Sequence, residues 1–253
     1  MNKRVIIVLI VLIASSCSKK NAQSFVLVKG GNFSNFYGKK AVIPDFYVGT
    51  YEVTQKEWED VMGSNPSKFK GNNLPMEMVS WYDCIVYCNK RSLREGLTPY
   101  YTIDSINKDR YNKSPFDSIR WTVTIDTVAN GYRLPTETEW QYAADGGRQT
   151  KGYVYSGSDH IDKVAWYRNN SANITRPVGS KAPNELGLYD MSGNVREWCF
   201  DWYIDWDAGD SYKRIVRGGG WLSDEKYCTT SFRGEFDASG KGPDQGFRIC
   251  YNK

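Results

Sequence analysis

Six cysteines and one histidine bound the chemistry open to this 253-residue chain. His160 is the lone imidazole, which excludes iron or zinc centres built on two or more histidines and helix-borne His pairs. The cysteines stand at 17, 84, 88, 199, 228 and 250, with no Cys-x-x-Cys, so a zinc site is not expected. Asp190 and Glu197 flank the string Met-Ser-Gly-Asn-Val-Arg. By spacing alone, Asp190 caps a turn and Glu197 is a solvated or paired carboxylate. Asp201, Asp205, Asp207 and Asp210 are interleaved with Trp202, Tyr203 and Trp206. That run could bind a cation or line a sugar groove, but a solvated loop with tryptophans packed inward is the favoured reading. The formal charge is only +4 and there is no basic tract for phosphate neutralisation, so nucleic acid is not an expected partner.

Lys3 and Arg4 precede an apolar run over 5–14, followed by Ser15, Ser16 and Cys17. As a helix, such a run spans about 15 Å, half of a bilayer's hydrocarbon thickness, too short for a transmembrane anchor. A positive start, an apolar centre and small residues read as a secretory signal. Ile13-Ala14-Ser15-Ser16-Cys17 is similar to a bacterial lipobox, in which the cysteine is lipidated and becomes the new N-terminus; the alternative is an ordinary signal whose cysteine falls there by chance. The expected organisation is a signal peptide over 1–16, a lipidated tether over 17–24 and one domain over 25–253. Losing Lys3 and Arg4 leaves 31 basic and 29 acidic residues, nearly balanced. The mature protein would be lipid-anchored through Cys17 in a bacterial envelope, facing the periplasm or the exterior.

The elements that must position these residues are legible in part. Thr54-Gln-Lys-Glu57, Ser80-Trp-Tyr-Asp83 and Thr136-Glu-Thr-Glu139 are capping boxes, so helices should start after 54, 80 and 136. Trp58, Val61 and Met62 form the first apolar stripe, with Gly63 as its stop. Cys84, Ile85 and Cys88 form the second, ending at Gly96, and Trp140, Ala143 and Ala144 the third, closed by Gly146-Gly147. Strands are expected at 25–28, 46–48, 214–217 and 246–249, with a hairpin inside 100–128 whose second arm alternates over 120–125. Between 152 and 210 the pattern reads as turns, aromatics and polar residues. Aromatics reach 15% and glycines number 23, favouring a loop-rich α+β fold.

Four strings stand in order: Gly131-Tyr-Arg-Leu-Pro-Thr-Glu-Thr-Glu-Trp140, Gly187-Leu-Tyr-Asp-Met-Ser-Gly-Asn-Val-Arg-Glu-Trp198, Arg217-Gly-Gly-Gly-Trp221 and Gly246-Phe-Arg248. Together they resemble the formylglycine-generating enzyme family, or sulfatase-modifying-factor domain, across nearly the whole mature chain. The resemblance implies a C-type-lectin-like fold with little regular structure, a twisted antiparallel sheet and a few short helices. It also implies oxidation of a sulfatase cysteine by oxygen and a copper ion held by two thiolates. Here the second of those cysteines is Cys228, but the first is Ser223, whose hydroxyl is no soft ligand for Cu(I). The motif's active-site serine is replaced by Gly220, and the aromatic before Glu-Trp by Arg196. Copper is therefore not expected, and the site reads as vestigial.

The same resemblance implies a calcium loop, with side-chain oxygens from Asp190 and Glu197 and carbonyls from Gly193 and Val195, a donor set suited to a hard cation. It places Cys88 and Cys250 close to a family disulfide, with Cys199 and Cys228 as a second pair. Related domains occur as accessory lipoproteins of secretion and gliding machinery in the Bacteroidetes group. The leading expectation is a non-catalytic envelope lipoprotein that binds a protein or glycan partner. The alternatives are a formylglycine-type oxidoreductase working through Cys228, and a calcium-dependent carbohydrate-binding module.

Overall fold

The computed structural model describes residues 24–34, 38, 40–203 and 212–253. The signal segment and Cys17 lie outside the described residues, as do Asp205, Trp206, Asp207 and Asp210. In chain order the elements are β1 (Phe25–Val28), β2 (Gly31–Ser34), β3 (Lys40–Ile43), β4 (Phe46–Gly49), α1 (Gln55–Met62), α2 (Trp81–Arg94), β5 (Tyr101–Lys108) and β6 (Trp121–Ile125). There follow α3 (Glu137–Ala144), α4 (Ile161–Val164), β7 (Arg196–Trp202), β8 (Arg214–Arg217), β9 (Gly234–Phe236), β10 (Gln245–Gly246) and β11 (Cys250–Asn252). One sheet runs β1-β4-β11 and another β10-β7-β8-β9, and β2-β3 and β5-β6 form two hairpins. Pairing is antiparallel throughout except for β10 against β7.

All three capping boxes form. Thr54, Ser80 and Thr136 each accept from the third helical amide, and Glu57, Asp83 and Glu139 reach back to the cap. Each such cap stabilises its helix by about 1 kcal/mol. Gly63 ends α1 in the left-handed region, and Gly146 and Gly147 follow α3 at positive φ. The helices bury Trp58, Trp81, Cys84, Ile85, Cys88, Trp140, Ala143 and Ala144, placing the expected stripes in the core apart from Val61 and Met62, which stay half-buried.

Two expectations need correction. Residues 247–249 belong to no strand; β10 and β11 lie on either side of them. They pass between the two main sheets, where the Phe247 and Ile249 carbonyls accept from Val53 and Gly49 at 2.9 and 2.8 Å. The stretch read as turns between 152 and 210 contains β7, the strand that joins β10 to β8. Arg196, Glu197 and Asp201 hide it, because charged residues enter a largely buried strand only where tertiary partners neutralise them. Trp198 and Cys199 on β7 are fully buried, and the Trp198 indole donates to the Val79 carbonyl at 3.1 Å.

Candidate functional site

After β8 the chain turns sharply through Gly218 and Gly219, at φ +86° and +68°. A Cβ on Gly219 would lie 2.6 Å from the Tyr227 carbonyl oxygen and 2.7 Å from Cys228 Sγ, so the approach of Cys228 requires glycine there. A Cβ on Gly220 would sit 3.2 Å from the Arg196 amide nitrogen and 3.1 Å from the Asp244 carbonyl oxygen. The fold thus gathers Gly220, Ser223, Cys228 and Arg196 around one turn, as the motif spacing requires.

The chemistry of that turn is closed. Ser223 Oγ accepts from the Gly220 amide at 3.0 Å, and the Ser223 amide donates to the Gly220 carbonyl at 2.8 Å. Cys228 ends a 3₁₀ turn over Glu225–Tyr227 and is fully buried among Tyr155, Ile161, Val164, Ala165 and Tyr167. Burial pushes its thiol pKa up to about 12, against a smaller opposing pull from the Arg196 charge. At neutral pH the free sulfur is therefore held as a thiol rather than a thiolate. Arg196 Nη2 meets Asp244 Oδ2 at 2.6 Å, and the Arg196 amide donates to the Asp244 carbonyl at 2.7 Å. Asp244 carries no signal in the sequence beyond its place two residues before Gly246-Phe-Arg248. It is the counter-charge that an arginine in place of an aromatic demands.

The candidate calcium residues sit beneath this turn, in a cluster centred on Arg248. Arg248 and Glu197 are both fully buried and form a two-pronged pair, Nε to Oε2 and Nη2 to Oε1, each 2.6 Å. The Trp140 indole also donates to Glu197 Oε2, at 2.6 Å. The remaining Arg248 donors reach the carbonyls of Gly49 at 3.0 Å and Tyr189 at 2.9 Å. Asp190, at φ +57°, turns the chain and accepts from the Gly179 amide at 2.6 Å, while its Oδ1 is buried without a partner. A further carboxylate, Glu52, accepts from Asn194 Nδ2 at 3.0 Å and the Val195 amide at 3.2 Å. Burial, reinforced by the charges of Asp190 and Glu197, pushes Glu52 well above the usual carboxylate range. Burial raises Asp190 as well.

This arrangement matches the reading from spacing alone, a turn-forming Asp190 and a paired Glu197. Arg248 and Trp140 engage both Glu197 oxygens, which leaves Asp190 Oδ1 as the open carboxylate oxygen. Among the described residues, no group of three or more His, Cys, Asp or Glu is placed to hold a metal. Of the expected calcium residues, Asp190 keeps an open side-chain oxygen, while the Glu197 side chain is committed to Arg248 and Trp140. Glu52 is missed by motif reasoning, although a lone acid between the apolar segment 46–48 and the capping box at Thr54 is the signal that could have found it.

The five cysteines among the described residues are all buried thiols, so neither expected disulfide is formed. Cys250 lies near enough to Cys88 to add to the upward push of burial on the Cys88 thiol. Cys199 packs with Trp140, Ile215 and Cys250, in a different apolar cluster from Cys228, because β7 turns it toward α3 and away from the 3₁₀ turn. Of the acidic aromatic run, Asp201 accepts from the Glu137 amide at 2.6 Å. The Arg214 guanidinium lies between Trp202 and Trp81, 3.5 and 3.7 Å from their ring centres. The described part of that run is packed inward. A cavity of about 530 Å³ lined by Phe33, Lys40 and Val42 lies in the β2-β3 hairpin.

The model of the sulfatase-modifying factor enzyme 1-like domain matches residues 12–253. The chain belongs to this family. Among relatives of this sulfatase-modifying-factor-like protein, "Chaperone protein LppX" of Paenibacillus barcinonensis is 48% identical over 280 residues, covering all of both chains. A formylglycine-generating enzyme of Thermomonospora curvata is 33% identical over 127 residues, covering 39% of this chain and 41% of that enzyme. Among solved structures, Treponema denticola variable protein 1 superposes with a TM-score of 0.78 at 32% identity, covering 91% of this chain and 95% of that one. The architecture is the C-type-lectin-like fold of the family, with few short helices and mostly antiparallel sheets. Among the described residues, no helix is long and apolar enough to cross a membrane.

Proposed function

We propose that this protein is a lipid-anchored envelope protein whose sulfatase-modifying-factor-like domain has given up cysteine oxidation and binds a protein partner. One observation carries the reading. At the turn where the family's chemistry needs two thiolates, Ser223 is tied to Gly220, Cys228 is a buried thiol with its pKa near 12, and Arg196 is paired with Asp244. A soft metal has one sulfur to bind, and that sulfur is protonated. The full-length relative named as a chaperone supports a role in binding protein rather than in turnover.

The lipobox-like string ending at Cys17 supports export and acylation, and detergent extraction with mass spectrometry of the N-terminal peptide tests it. Catalysis is tested by incubating the protein with Cu(I), oxygen and a Cys-x-Pro-x-Arg peptide, and measuring cysteine-to-formylglycine conversion by mass. No conversion above a Cys228→Ala control is expected. Conversion that depends on Cys228 refutes the non-catalytic reading.

A further inference from the structure

The outer face of the β1-β4-β11 sheet is built in rows. Leu27, Tyr47 and Tyr251 are directly opposed across the three strands, so their side chains share a face. Phe25, two residues before Leu27, lies on that face too. The alternate row of Val48 and Cys250, opposite Val26, points into the core, where Val48 and Cys250 are buried. All four outward residues are only half-buried. At one edge Phe25 and Tyr251 also pack against Tyr132 and the main core cluster, whereas Leu27 and Tyr47 belong to neither large cluster, and the Tyr47 and Tyr251 rings stack with centres 4.8 Å apart. The next row continues the same period with Lys29, Asp45 and Lys253, in which both lysines reach Asp45 at 3.0 and 3.1 Å and stay about half exposed. The face is thus an apolar aromatic strip edged by a basic row.

The chain enters this sheet at Ser24, which is bonded to Thr50 beside Phe25. Residues 18–23 separate it from Cys17, so at about 3.4 Å per residue the acylated cysteine lies within roughly 24 Å of the sheet. That short segment adds Lys19 and Lys20. Tyrosine rings with an apolar body and a wet hydroxyl suit the bilayer interface, and clustered lysines suit anionic headgroups. We infer that the Phe25, Leu27, Tyr47 and Tyr251 face docks on the anionic lipid surface in which Cys17 is anchored. The domain is then held in one orientation. This rests on the lipid-anchor reading above.

The test places a nitroxide on the mature, acylated protein bound to vesicles of phosphatidylethanolamine and phosphatidylglycerol. The five cysteines of the domain are buried, so a label introduced at Leu27→Cys, or independently at Tyr251→Cys, reports its own position. Ile106→Cys, 89% exposed on the hairpin, is the reference. The expected result is a several-fold lower collision rate with a water-soluble nickel chelate at 27 and 251 than in the Cys17→Ser chain in solution, with no change at 106. Equal accessibility at all three positions, with acylated Cys17 confirmed by mass, overturns the docking face and leaves the anchor standing. Absence of lipid on Cys17 overturns both.

Discussion

Arg248→Met is the substitution that probes the buried cluster most directly. It deletes the one guanidinium paired with Glu197, in a site that also holds Glu52 and Asp190. Breaking a fully buried ion pair by removing one partner costs about 3–5 kcal/mol. The carbonyls of Gly49 and Tyr189 lose donors too, each worth roughly 1–3 kcal/mol when left unmet. These contributions overlap, so a loss of about 4–7 kcal/mol is expected, comparable with the whole stability of an ordinary domain of ~5–15 kcal/mol. In urea titrations followed by tryptophan fluorescence, the midpoint should fall by roughly 2 M at unchanged slope. The sign of the pH dependence is also set. Glu52 already has a folded pKa above its unfolded one, so its contribution is fully present below about pH 4.3 and is lost as pH rises through the folded value. Removing Arg248 pushes the remaining carboxylates the same way, so the variant should be less impaired at pH 5 than at pH 8. Replacing Glu197 with Gln in the same chain should recover part of the loss. A loss below about 1 kcal/mol, or a deficit that shrinks at high pH, refutes the account of Arg248 as the charge that holds the cluster together.

Three further outcomes follow from the geometry. Iodoacetamide at pH 8 should leave Cys228 unmodified in the folded chain and modify it rapidly in urea, because burial holds the thiol near a pKa of 12; fast labelling of the folded chain, read by peptide mass, contradicts the closed site. Gly219→Ala should lower the Tm by about 5 °C or more, since the new Cβ meets Cys228 Sγ at 2.7 Å at a φ of +68°, at about 2 kcal/mol or more; a change under 1 °C contradicts it. Excess calcium should leave the Tm equal to that of a chelated sample, because Arg248 and Trp140 engage both Glu197 oxygens. A calcium-dependent rise that Asp190→Ala abolishes restores the expected metal loop.

What sequence reasoning could reach was governed by local physics. The three helix starts were legible because a capping box closes within four residues, and the helix glycine stops because a positive φ is a one-residue property. β7 was not legible, since its charged residues become tolerable only through Asp244, Arg248, Trp140 and the Glu137 amide, all distant in the chain.

The same boundary runs through the site. By itself the sequence determined that one of two sulfurs is missing, because Ser223 is a matter of residue identity, and that a single histidine cannot build an imidazole centre. Only the tertiary structure decided the surroundings of the residues at that site. Burial, not residue type, raises the Cys228 thiol and Glu52, and Arg248, 51 residues along the chain, claims the Glu197 carboxylate that the loop motif offers to a metal. Charges in a low-dielectric interior are settled by whichever partner the fold brings within hydrogen-bond distance, and no local string carries that information.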